Sequence, residues 1–167
     1  MALFPASCLR LAEALLAGSA AAGLRLVTAE SCTGGLIVGC LTEIPGSSAV
    51  VDRGYVVYDD RAKVEMLGVR AQTLAAHGAV SEAVARELVA GALARSGCDL
   101  ALAVTGIAGP GGGSAAKPVG LVHLAAGRRD GTLLHQRHRF PGDRTAIRLA
   151  TVEAALSLAL ALVQEPR

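Results

Sequence analysis

The chain is nearly empty of aromatic side chains. Its 167 residues hold no tryptophan, and Phe4, Tyr55, Tyr58 and Phe140 are the only phenylalanines and tyrosines. Lysine is almost as scarce, with Lys63 and Lys117 alone. The four cysteines, Cys8, Cys32, Cys40 and Cys98, form no C-x-x-C pair and repeat no spacing. They point to neither a zinc site nor a disulfide framework, and buried reduced thiols are expected. No apolar run approaches the roughly 18 residues that a membrane span needs. Charge of one sign is missing too: 16 Lys and Arg stand against 14 Asp and Glu, a formal +2. Such a balance gives no general reason to expect nucleic acid or a membrane surface as partner. Disordered chains combine low hydrophobicity with high net charge, and a chain that is 52% hydrophobic and nearly neutral has neither.

What fills the chain is small residues, 33 alanines and 20 glycines among them. A core of Leu, Val, Ile and Ala lets helices sit close to a sheet, which favours α/β packing. The length favours one compact domain over residues 1–167. Arg10 and Glu13 interrupt the alanine-rich start, no basic segment precedes it, and Pro5 stands where a lipoprotein box needs leucine. A secretory leader is therefore not expected, and the location expected is cytoplasmic.

Periodicity predicts helices over residues 9–22, 36–43, 59–67, 81–96 and 143–163, with a brief one over 71–76. Strands are expected over 24–29, 49–58, 100–105, 119–126 and 132–140. The last two form a hairpin across Arg129-Asp130-Gly131, where Asp-Gly is a turn signal. Strands alternating with helices imply a three-layer α/β/α sandwich with a mixed, mostly parallel five-stranded sheet.

Two segments look shaped for more than packing. The first, Thr28-Ala29-Glu30-Ser31-Cys32-Thr33-Gly34-Gly35, lies between a strand and a helix start. Ligands of open α/β sheets sit at such strand ends. N–H groups of Thr33, Gly34 and Gly35 there are candidates to hold an oxyanion. Simple capping by Ser31 or Thr33 is the plainer account, but two glycines inside a helix start, at about 1 kcal/mol each against alanine, favour a close-approach site. The second segment runs from Thr105 and Gly106 to Gly111, Gly112 and Gly113. It fails the Walker pattern, because Lys117 follows Ala116, and the dinucleotide pattern, because a strand follows it. What remains is a small-residue loop that can wrap an anion or be merely mobile. Six arginines between Arg128 and Arg148 read mostly as solvated faces, with one or two available to grip a small anion.

Nucleophile candidates are Ser31 and Cys32. His77, His123, His135 and His138 lie in unrelated settings, no G-x-S-x-G elbow exists, and no metal-ligand cluster is evident. A serine–lysine pair is the remaining route, although Lys63 taken alone reads as a surface residue.

The ordered segments Ala29-Glu30-Ser31-Cys32-Thr33-Gly34-Gly35, His77-Gly78-Ala79-Val80-Ser81, Thr105 to Gly113, Lys117-Pro118-Val119-Gly120 and Phe140-x-Gly142-x-Arg144 resemble the signatures of one family. It is the CinA C-terminal domain family, the nicotinamide-nucleotide amidases, and the resemblance runs over roughly residues 9–162. It implies hydrolysis of nicotinamide mononucleotide to nicotinate mononucleotide and ammonia in pyridine-nucleotide recycling, without metal or organic cofactor. It also implies Ser31 and Lys63 as a catalytic pair with Tyr58 close by. Thr105, Gly106, Gly111, Gly112, Gly113 and Arg144 match positions associated with nucleotide binding. Many relatives carry Ser/Thr-Asn where this chain has Asp59-Asp60, which places negative charge beside the lysine. Longer relatives carry a preceding molybdopterin-binding-like domain linked to ADP-ribose pyrophosphatase activity, which is not expected of these 167 residues. The alternatives are a Cys32 amidase, a non-catalytic nucleotide-binding module of competence or damage responses, and a purely structural domain. A homodimer is the expected assembly, from the frequency of symmetric association.

Overall fold

A computed structural model describes residues 2–166. Six α-helices and five strands follow one another as α1 (Ala6–Ala21), β1 (Leu26–Glu30), α2 (Leu36–Thr42), β2 (Val51–Val56), α3 (Asp60–Leu67), α4 (Ala71–His77), α5 (Glu82–Ser96), β3 (Leu100–Gly106), β4 (Leu121–Arg128), β5 (Leu133–Arg139) and α6 (Arg144–Gln164). The sheet order is β2-β1-β3-β4-β5. β1 runs parallel to both β2 and β3, whereas β4 and β5 add two antiparallel pairings. The sheet is therefore mixed and five-stranded as expected, with half its pairings parallel, because the hairpin contributes as many as the crossovers do.

Alternation along the strands divides the core into two layers. Leu26, Leu100, Leu102, Val104, Val122 and Leu124 face α1, α2 and α6. Val27, Ala29, Ala101, Ala103 and Ala125 face α5 and the shorter helices beside it. The α5 layer is lined mostly by alanine on the sheet side, so the helix lies close to the strands. That closeness reaches α3 as well: a Cβ on Gly91 of α5 would stand 1.9 Å from the Leu67 carbonyl oxygen.

Helix ends follow local chemistry. Asp59, Ser81 and Asp143 cap α3, α5 and α6 by accepting from Arg61, Val84 and Ala146 N–H. Residues 47–49 form a 3₁₀ turn after Gly46 instead of opening β2, so that strand is shorter than expected. The last helix is, by length and composition, apolar enough to cross a membrane despite Arg148 and Glu153, contrary to the sequence expectation. In the fold its buried face, including Ile147, Val152, Leu156 and Leu162, packs into the sheet-facing core. Arg128 also departs from the solvated reading. It is buried at 6% exposure and its guanidinium donates to the Leu162 and Glu165 carbonyls, closing the C-terminal end of α6.

His123 and His135 stack on neighbouring strands, with their ring nitrogens 3.0 Å apart. Burial, followed by the charges of His135 and Arg137, pushes the His123 imidazole down to about 4. Unfolded, the ring takes its proton near pH 6.5. Between those values the unfolded chain binds more protons than the folded one, so stability falls as pH drops from about 6.5 toward 4. Thermal unfolding measured against pH is expected to show this slope, and His123→Gln to flatten it. Gly91→Ala is expected to destabilise the fold by about 1–3 kcal/mol in urea unfolding, because the methyl group displaces α5 from the end of α3.

Candidate functional site

The C-terminal ends of the three parallel strands converge. β1 ends at Glu30 and runs into Ser31, β2 leads through Val57 to Tyr58, and β3 ends at Gly106. Ser31 N–H donates to the Val104 carbonyl and Val57 N–H to the Glu30 carbonyl, which locks the three ends together. Between them opens a cleft of about 190 Å³ lined by Ser31, Cys32, Tyr58, Asp60, Lys63, Thr105, Gly106, Arg144 and the segment Ala79-Val80. A larger groove of about 650 Å³ lies between α1 and α6. Its lining is mainly apolar and contains none of the residues that the strand ends bring together, so the smaller, polar cleft is the candidate site.

Lys63 is the most unusual residue in it. Although charged by type, it is only 1% exposed. Its Nζ donates to the Tyr58 carbonyl at 3.0 Å and to the Asp60 carboxylate at 3.3 Å. Those two bonds leave one of three Nζ directions free. The surface reading of Lys63 thus gives way to a buried amine whose place is set by α3 and by the strand-to-helix turn before it. The pair Asp59-Asp60 divides its work: Asp59 caps α3, and only Asp60 reaches the lysine. Tyr58 meets Lys63 through its backbone carbonyl, not its phenol. The residue is 60% exposed, and its hydroxyl accepts from Arg144 at 3.1 Å.

Arg144 opens α6 and turns back over the cleft, where its other donor goes to the Gly109 carbonyl at 2.7 Å. Thr105 donates its hydroxyl to the Ala79 carbonyl at 2.8 Å, which fastens the 79–80 segment to the end of β3. A Cβ on Gly106 would stand 2.7 Å from the Val122 side chain and 3.1 Å from Cys32 Sγ, so only glycine lets β3 pass beneath the cleft floor.

Around Ser31 the backbone is held from within. The Glu30 side chain turns under α2, where its carboxylate accepts from Thr28 Oγ1, Thr33 Oγ1 and the N–H groups of Gly35, Ile37 and Val38, at 2.6 to 3.1 Å. The chain reaches this geometry through Gly34 and Gly35, whose φ of +59° and +98° lie where a side chain would strain. This arrangement corrects the expectation for the oxyanion donors. Gly35 N–H is committed to Glu30 and Gly34 N–H to the Ser31 carbonyl at 3.1 Å. Among the described residues no acceptor takes the Thr33 N–H, which is the remaining donor of the three.

Gly111, Gly112 and Gly113 are not brought to the cleft. They sit exposed on the outer part of their loop, and its nearer part contributes Ala108 and the Gly109 carbonyl. Cys32 lies in the cleft wall, where burial above all holds its thiol up at about 11, so a thiolate is scarce at neutral pH. Glu30 and Ala79-Val80 have no role in the sequence reading, whereas the negative charge it places beside the lysine is that of Asp60. The signal was present for Glu30, a carboxylate at a strand end that points toward a helix start.

A mixed α/β sheet with a polar cleft at the carboxyl ends of its parallel strands places the chain among the open-sheet α/β proteins, whose ligands as a class sit at such edges. More narrowly, it belongs to the CinA C-terminal domain family, whose model matches residues 9–163. It is 50% identical over 140 residues to the nicotinamide-nucleotide amidohydrolase PncC of Enterobacter agglomerans, covering 84% of this chain and 85% of that protein. The PncC of Escherichia coli is 48% identical over 136 residues, with 81% and 82% covered. A CinA-like protein of Mycolicibacterium gilvum is 51% identical over 82% of this chain, which spans 32% of that longer relative. Among solved structures, the competence/damage inducible protein CihA of Agrobacterium tumefaciens superposes with a TM-score of 0.96 at 56% identity, covering 98% of this chain and 100% of that one.

Glu30→Ala strands at least three N–H donors and two hydroxyls in the interior. It is expected to lower the unfolding free energy by about 3 kcal/mol or more in urea titration, with Glu30→Gln retaining part of that loss.

Proposed function

We propose that the chain is an amidohydrolase that converts nicotinamide mononucleotide to nicotinate mononucleotide and ammonia, as part of pyridine-nucleotide recycling. The observation that carries this reading is the burial of the Lys63 amine in the same cleft as the Ser31 hydroxyl. Among the described residues no histidine lines that cleft, and of its two basic side chains Arg144 is a guanidinium that does not give up its proton, which leaves the Lys63 amine to a serine nucleophile there. The naming of the Escherichia coli and Enterobacter agglomerans relatives as nicotinamide-nucleotide amidohydrolases supports the substrate.

Ser31 Oγ attacks the carboxamide carbon while Lys63 Nζ takes the hydroxyl proton. The carbonyl π electrons move to oxygen, and the resulting oxyanion is met by the Thr33 N–H, the donor of the three that is left uncommitted, a contribution typically worth about 3 kcal/mol. Collapse of the tetrahedral intermediate breaks the C–N bond, and Lys63 hands its proton to the departing ammonia. Water then attacks the acyl-enzyme, giving up a proton to Lys63, and Ser31 Oγ leaves with that proton. On this reading Arg144 is assigned the substrate phosphate. Its present partners, a carbonyl and a phenol, are neutral and leave its charge unspent. The high thiol pKa of Cys32 weighs against a cysteine mechanism.

Ammonia release from nicotinamide mononucleotide tests the reading. Ser31→Ala and Lys63→Ala are each expected to lower kcat by about 10³-fold or more, as for other nucleophile and base deletions. Cys32→Ala is expected to stay within a few-fold of wild type. Retained activity in Ser31→Ala would sink the serine mechanism.

A further inference from the structure

Arg148 stands one helical turn beyond Arg144 on the same face of α6, since residues four apart are neighbours on a helix. The two arginines go to different places. Arg144 enters the cleft, whereas Arg148 does not line it and instead grips the turn that carries the nucleophile. Its Nε donates to the Cys32 carbonyl at 3.1 Å and its Nη2 to the Thr33 carbonyl at 3.0 Å. A Cβ on Gly34 would sit 3.4 Å from Nη2, so the guanidinium plane lies tight against this turn.

Peptide planarity turns those bonds into an orientation. In a trans peptide the N–H points opposite to the C=O. With the Cys32 carbonyl directed at Arg148, the Thr33 N–H of the same peptide is directed away from it. With the Thr33 carbonyl also on Arg148, the next N–H, of Gly34, closes back on the Ser31 carbonyl. Glu30 holds the opposite side of the segment through Thr33 Oγ1 and the first N–H groups of α2. A carboxylate therefore takes the donors and a guanidinium takes the acceptors.

We propose that Arg148 is a positioning residue for the reaction at Ser31: it fixes the two peptides after the nucleophile so that the serine hydroxyl and the Thr33 N–H are presented together, without itself touching substrate. This rests on the amidase reading above. Two carbonyls on adjacent residues suit the flat, two-pronged guanidinium, and a lysine ammonium lacks that fork.

Three measurements on Arg148→Ala, Arg148→Lys and wild type separate positioning from binding and from folding. Steady-state ammonia release from nicotinamide mononucleotide is expected to show kcat reduced by about 10²-fold in Arg148→Ala with KM changed by less than about threefold, the signature of a contact expressed in the transition state. Millimolar guanidinium chloride, but not sodium chloride at the same ionic strength, is expected to restore a good part of the lost kcat in Arg148→Ala. The rate at which a fluorophosphonate probe labels Ser31 is expected to fall in parallel, while thermal unfolding shifts little and Arg148→Lys gives only partial activity. The proposal is overturned by a kcat within threefold of wild type, by a raised KM at constant kcat, or by lost activity with no guanidinium rescue and a collapsed thermal transition. If wild type releases no ammonia, the amidase reading fails, and an unchanged labelling rate at Ser31 in Arg148→Ala then overturns the positioning role separately.

Discussion

Everything near the cleft depends on where the Glu30 carboxylate goes. Leaving a carboxylate in the interior costs several kcal/mol unless its lone pairs are satisfied. Five donors meet this one, three of them N–H groups at the entry to α2, where aligned peptide dipoles also favour negative charge. The carboxylate therefore serves as a distant cap, reaching forward from the last residue of β1 to the first turn of the next helix. Because β1 is central among the parallel strands, the position of α2 is tied to the sheet rather than to a flexible loop. Ser31 lies on the short stretch between the two anchored ends, so its place is inherited from both.

The small residues serve the same end. Bulk at Gly106 would meet Val122, the Leu121 carbonyl and Cys32, so the floor beneath the Ser31 turn would be pushed upward. Alanine along Ala101, Ala103 and Ala125 lets α5 settle onto the sheet, and α3 then rests on α5 closely enough that Gly91 has no room for a methyl group. α3 carries Lys63. A chain of close contacts thus leads from the alanine-lined face of the sheet to the amine in the cleft. The same composition that makes the chain look featureless gives its catalytic candidates a fixed separation.

Most of the architecture was legible in the sequence because each element has its own signal. The apolar run of β3, the Asp-Gly hairpin turn, and the helix starts at Ser81 and Asp143 all act within a few positions of themselves. The parts that were not legible depend on partners far along the chain. Lys63 looks like any exposed helical lysine until the fold buries it at the strand ends, against the Tyr58 carbonyl and Asp60. Gly34 and Gly35 announce an unusual backbone, yet nothing local says that their N–H groups are already spent on Ser31 and Glu30. The arginines between Arg128 and Arg148 are alike in sequence. Only the fold separates one that closes a helix end, one that enters the cleft and one that holds the turn after Ser31. Gly111, Gly112 and Gly113 drew attention by composition, but the loop meets Arg144 through Gly109 instead.

The scarcity of aromatic residues limits how a pyridine ring can be received. Tyr58 is the only aromatic side chain among the residues lining the cleft, so a ring bound there has no pair of faces to lie between. Nor is Tyr58 independent, since its hydroxyl accepts from Arg144, the cation proposed to meet the phosphate. On the amidase reading, a phosphate drawing the guanidinium toward itself would compete for that donor and change the setting of the phenol. On the amidase reading, the two ends of the mononucleotide are therefore sensed through one hydrogen-bonded pair. A substrate that lacks the phosphate leaves Arg144 on Tyr58 and Gly109, and the ring then enters a cleft whose only aromatic wall is still held in its resting place.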